Sequence, residues 1–144
     1  MKSYDPQMHT AEHILNQTMV RLFGCERSFS SHIEKKKSKC DYHFDRPLDR
    51  DEEISLVKQV NKVIGLNLEV KEHFLTQEVA SGKFNLSRLP VDSGGEVRIV
   101  TVGDYDTCPC IGPHVGNTSE IGLFQLISTS NENGILRIRF KLIN

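Results

Sequence analysis

The chain has 144 residues, 38% of them hydrophobic and 26% charged, enough for one domain with a core and too few for two, so residues 1–144 are expected to form a single domain. No apolar run approaches the roughly 20 residues of a membrane span, and the first residues lack the apolar stretch of a signal peptide, so a cytoplasmic protein without a membrane partner is expected. A net charge of −1 excludes global attraction to nucleic acid and leaves any such contact to local patches.

Asp5 followed by Pro6 has the form of an N-cap and first helical position, and Gly24 supplies a stop after Met8, Ala11, Leu15, Leu22 and Phe23, which predicts a helix over 6–23. Strand signals follow at 40–44. A second helix is expected from about Asp51 to Ile64, with acidic residues at its start, apolar residues at helical spacing and Gly65 behind it. Further strands are read at 68–74, 96–103, 123–129 and 135–143, a short helix at 76–82 ended by Gly82, and a loop at 87–95. In the last strand Leu136, Ile138, Phe140 and Leu142 alternate with Arg137, Arg139 and Lys141, and the preceding "NENG" marks a hairpin. Helices and antiparallel strands without βαβ alternation indicate an α+β domain.

Of the four cysteines, Cys25, Cys40, Cys108 and Cys110, none is expected in a disulfide in a reducing compartment; they read as free thiols or metal ligands. The stretch "MHTAEHIL" puts His9 and His13 four apart on one helix face, where both imidazoles can reach one ion. That spacing is also common on ordinary helix surfaces. A second pair changes the balance: Cys110 and His114 flank a tight Ile-Gly-Pro segment, and together the four make a nitrogen and sulfur set suited to tetrahedral zinc. Cys108 reads as a buried thiol or pocket lining rather than a substitute ligand. The same helix satisfies H-x-x-E-H, in which Glu12 would be the general base of a metallopeptidase. Glu12 is expected instead to be an exposed carboxylate, whose change to Gln leaves activity intact.

These motifs resemble the second additional domain of threonyl- and alanyl-tRNA synthetases, and especially the freestanding AlaX-type editing proteins. "HTAEHIL" is similar to the family's H-x-x-x-H helix, and "CIGPHVGNTSEIGLFQLIST" to its Cys-x-Gly-x-His-Val signature and following strand. "EVRIVTVGDYDTCPC" and residues 57–80 are similar to the strand before that signature and to the middle helix, turn and strand. The resemblance implies a two-layer domain with an antiparallel sheet packed against helices, and zinc held by His9, His13, Cys110 and His114. It implies hydrolysis, in trans, of the ester of a mischarged tRNA, seryl- or glycyl-tRNA(Ala), by a short form that partners tRNA rather than DNA.

Cys110-Ile111-Gly112-Pro113-His114 is nearer the threonyl pattern than the Cys-Gly-Gly-Thr-His of alanine-type proteins, and Cys108 stands where threonyl editing domains tend to carry Asp. Ser30 and Ser31, with His32 beside them, are the nearest match to the pocket threonine of alanine-type proteins, and Thr107 is a further pocket candidate. Lys35, Lys36, Lys37 and Lys39, with Arg137, Arg139 and Lys141, are candidate RNA contacts; each cluster also fits a solvated face. A zinc-stabilised tRNA- or synthetase-binding module and a small H-x-x-E-H metallopeptidase are the alternative functions.

Overall fold

The computed structural model describes residues 5–84 and 96–143. The loop expected at 87–95 lies outside the described residues. Helix α1 (Pro6–Phe23) begins where Asp5 accepts the Met8 N–H and ends at Gly24, which takes the left-handed φ of 70° and returns its N–H to Val20. β1 (Ser30–His32) and β2 (Ser38–His43) form a hairpin. α2 (Arg50–Ile64) opens on a reciprocal cap: Asp49 accepts from the Glu52 N–H and Glu52 accepts from the Asp49 N–H. β3 (Val70–Thr76), α3 (Gln77–Lys83), β4 (Glu96–Val102) and β5 (Asp106–Pro109) follow, then a 3-10 turn at Thr118–Glu120, β6 (Leu123–Glu132) and β7 (Ile135–Ile143).

The fold is α+β, with its strands divided between two antiparallel sheets, one in the order β1-β2-β7-β6 and one in the order β3-β4-β5. Alternation along β2 and β7 sends Cys40, Tyr42, Leu136, Ile138 and Phe140 inward, where they share one core with Met8, Ala11, Ile14, Leu15 and Met19 of α1 and Leu56, Val60 and Val63 of α2. Full burial of each large apolar side chain stabilises by roughly 1.5–3 kcal/mol, so this helix-on-sheet layer holds α1 firmly. A smaller cluster of Ala80, Val97 and Ile99 seats α3 on the second sheet. The predicted hairpin closes through a two-residue turn, Asn133 and Gly134, both with positive φ, 53° and 79°.

Several boundaries differ from expectation. α3 continues through Gly82 to Lys83, because Phe84 rather than a glycine caps it. β1 and β5 were not expected: the first is a three-residue polar strand, and the second ends on a proline at a sheet edge, so neither carries a period-2 signal. Leu22 faces solvent, one position beyond the buried stripe of α1. Among the described residues no helix is long and apolar enough to cross a membrane.

Candidate metal centre

Helix α1 is buried on two faces. One carries the apolar residues of the core; the other buries His9, Thr10, Glu12, His13 and Asn16. Buried polar groups require partners, and here they come from residues 28–31, from Tyr42 of β2 and from the segment β5 to Val115.

Arg98 on β4 shapes that segment, donating from Nη1 to the carbonyls of Cys110 at 3.1 Å and Gly112 at 2.7 Å, while its Nε donates to Glu72. The Val115 N–H then donates to Thr10 Oγ1. The turn so held brings Cys110 and His114 against His9 and His13, with one ligand atom of each lying within 4.8 Å of all the others.

Hydrogen bonds on the far side of two imidazoles decide which nitrogen faces the cluster. His9 Nδ1 lies 2.9 Å from the Pro113 carbonyl, which can only accept, so Nδ1 carries a proton and Nε2 faces Cys110 Sγ, 3.2 Å away. Thr10 donates its hydroxyl proton to the Pro6 carbonyl and therefore accepts from His114 Nδ1 at 2.9 Å. His114 Nε2 is left buried with no hydrogen-bond partner among the described residues. His13 Nδ1 stands 3.4 Å from Asp106 Oδ2, a charge contact without hydrogen-bond alignment. Such outer partners are what orient metal-binding histidines.

The electrostatics separate the two cysteines of "CPC". Burial opposes the Cys110 thiolate, but the imidazoles of His114, His13 and His9 outweigh it and bring its pKa down to about 3. Burial raises Cys108 to about 11. The cluster thus favours the thiolate at Cys110 and the neutral thiol at Cys108. Burial lowers His114 to about 4, whereas Asp106 and Cys110 overcome burial at His13 and raise it to about 9. Asp106 is itself held at about 2, against burial, by His13 and Arg27. A sulfur and converging imidazole nitrogens fit zinc, whose binding would release the protons that these groups hold between them.

The other sequence candidates divide. Ser31 reaches the centre through Glu12, donating to Oε2 at 2.6 Å. Ser30 alternates to the outer face of β1 and Thr107 to the exposed side of β5, so neither side chain lines the centre. The expectation that Glu12 is exposed is corrected: its side chain is 12% exposed, because the face of α1 that it shares with His9 is covered by β1 and the Cys110–His114 turn. Asp106, Arg27, Gln17 and Arg98 were not singled out in the sequence. They lie far from the motifs in chain position or carry no spacing signal. On the outer face of the first sheet, His32, Lys39, Arg139 and Ser128 stand in one cross-strand row, with Lys35, Lys36 and Lys37 exposed in the β1–β2 turn. Arg137 is paired bidentately with Asp41 at 2.7 and 2.9 Å.

Residues 97–139 match the family model described as the threonyl and alanyl tRNA synthetase second additional domain. The chain is 35% identical over 133 residues to an alanine–tRNA ligase of Coxiella burnetii, an alignment that takes in 90% of the chain and 15% of the relative. The family match and this relative together support a domain of the second additional type. Similarity to an alanine–tRNA ligase of Aeropyrum pernix is 33% over 140 residues, and to one of Streptococcus pneumoniae 34% over 128 residues, covering 92% and 88% of the chain. The chain spans about 15% of the length of these relatives. The part of the second additional domain matched by the family model holds Cys110 and His114, and α1 supplies His9 and His13 from outside it.

Proposed function

We propose that this chain is a zinc-dependent deacylase of mischarged aminoacyl-tRNA, with seryl- or glycyl-tRNA(Ala) as substrate and residues 1–144 acting as one editing domain. The observation that carries the reading is the convergence of His9, His13, Cys110 and His114, with the outer nitrogens of His9 and His114 held by Pro113 and Thr10, in a chain akin to alanine–tRNA ligases. The four residues would hold the ion, which when bound supplies a Lewis acid for an ester carbonyl or an anchor for the substrate's polar groups. Asp106 orients His13, Thr10 orients His114, and the burial of the helix face excludes bulk water from the centre.

The lysines of the β1–β2 turn, with Lys39, Arg139 and Lys141, are proposed to hold tRNA phosphates. Arg137 contributes less, since Asp41 already occupies it. The second reading, a non-catalytic zinc-stabilised tRNA binder, is favoured by the convergence of four protein donors, which is the number that closes a structural site. Incubating the zinc-loaded protein with seryl-, glycyl- and alanyl-tRNA(Ala) and with a peptide set decides among these. Release of serine or glycine supports the deacylase, stoichiometric zinc without any hydrolysis supports the binder, and peptide cleavage overturns both.

A further inference from the structure

Resting on the deacylase reading of the same centre, we infer that Glu12 forms a subsite for the substrate's α-ammonium group, so that the chain acts on aminoacyl esters with a free amine and rejects N-acylated ones. Glu12 is held by a buried chain of polar groups. Tyr42 Oη and the Ser28 N–H both donate to Asn16 Oδ1, at 2.8 and 3.2 Å. Ser28 Oγ lies 3.1 Å from Ser31 Oγ, and Ser31 donates to Glu12 Oε2. With Oε2 so engaged, Oε1 is turned toward His9 Nε2, 3.8 Å away, the nitrogen that faces the ligand cluster.

The other carboxylate at the centre is already occupied. Asp106 accepts from both Arg27 Nη atoms and from Gln17, and faces His13. Arg27 directs its hydrogen bonds to Asp106 and reaches Glu12 through charge alone, so among the described residues Glu12 has no arginine hydrogen bond. A buried carboxylate is costly unless a cation meets it, and an ammonium on Oε1 makes a charge-assisted hydrogen bond of that kind. In an α-amino acid ester a single carbon separates the ammonium from the carbonyl, so a group that anchors the amine beside His9 also places the carbonyl at the ligand cluster. Acylation of the amine removes the charge and adds bulk at the same point.

The test compares zinc-loaded wild type with Glu12→Gln, which keeps an oxygen for the Ser31 hydroxyl and removes the charge. Hydrolysis of seryl-tRNA is measured alongside calorimetric binding of serine joined to adenosine through a 3′-amide, with its amine free or acetylated. Wild type is expected to bind the free amine at least about tenfold more tightly than the acetylated compound. Glu12→Gln is expected to lose that preference and to raise KM for seryl-tRNA by about tenfold or more, with zinc content unchanged. Should Glu12→Gln fail to fold, Ser31→Ala, which frees the carboxylate to turn, is expected to weaken the preference. No preference in wild type, a preference retained in the variants, or loss of zinc from Glu12→Gln overturns the ammonium subsite and leaves the deacylase reading standing. Wild type that hydrolyses no aminoacyl-tRNA overturns both.

Discussion

Replacing Asp106 by Asn preserves side-chain shape and removes the charge around which the inner wall of the candidate metal centre is organised. The Asp106 side chain is 0% exposed and accepts from Arg27 at 2.6 and 3.2 Å and from Gln17 at 3.0 Å, with His13 Nδ1 at 3.4 Å. Asn offers one oxygen in place of two, and its amide hydrogens point at Arg27 or at His13, where an acceptor is needed. Breaking a buried pair costs about 3–5 kcal/mol. The Arg27 side chain is 29% exposed and keeps some water, so the low end applies, about 3 kcal/mol. For a domain of this size that lowers Tm by about 10 °C. Asp41→Asn is the control, because its partner Arg137 is 36% exposed and such a pair is worth at most about 1 kcal/mol, or about 3 °C. Thermal unfolding of the metal-free proteins measures the stability difference, and competition titration with a zinc indicator measures the second effect, an affinity about 10- to 100-fold lower in Asp106→Asn once His13 loses its orienting partner. Equal melting of the two variants, with unchanged zinc affinity, would refute the reasoning.

Purified protein should contain about one zinc per chain, and His13→Ala or Cys110→Ala should release it; elemental analysis of folded wild type finding no stoichiometric zinc removes the metal from the account. Lys36→Ala and Arg139→Ala should weaken tRNA binding and flatten the dependence of log K on log salt by roughly 0.9 per lost phosphate contact, while Arg137→Ala should do less because Asp41 already pairs with it; unchanged slopes in salt titrations would place the RNA surface elsewhere. Gly134→Ala should cost about 1 kcal/mol in chemical denaturation through its backbone alone, because φ is 79° and the nearest atom to an added Cβ is Asp45 Oδ1 at 3.8 Å. The Arg137 guanidinium lowers the Asp41 pKa, so this group's stabilisation is present above the unfolded carboxyl value near 3.9 and is lost as pH falls through the folded value. Acid titration should therefore show a shallower loss of stability in Asp41→Asn than in wild type.

Much of the fold was legible because its signals are local. The ends of α1 were readable at Asp5, Pro6 and Gly24, since caps depend on residues within one turn of each other, and the structure places both ends there. The last hairpin was readable from Asn133-Gly134 and from the strict alternation that follows. β1 and β5 were not legible: Ser30–His32 and Asp106–Pro109 are strands because of the neighbours they pair with, not because of a pattern of their own. The misreading of Glu12 has the same origin. A helix periodicity reports which residues share a face, and Glu12 shares one with His9. Whether that face meets water or a covering strand depends on the return of β1 and the Cys110–His114 turn.

The candidate metal centre divides along that line. Residue chemistry and short spacing were sufficient to pick out His9 and His13 as one pair and Cys110 and His114 as the other, because each pair lies within about one turn of chain. That the pairs meet, about a hundred positions apart, was decided by the tertiary structure: Arg98 of β4 pulls the Cys110 and Gly112 carbonyls inward, and Thr10 receives the Val115 N–H. The pairing of Asp106 with His13 and of Thr10 with His114, and the favouring of thiolate at Cys110 but not at Cys108, follow from the same packing. These properties depend on distance and burial, which a linear order of residues does not specify and a packed core does.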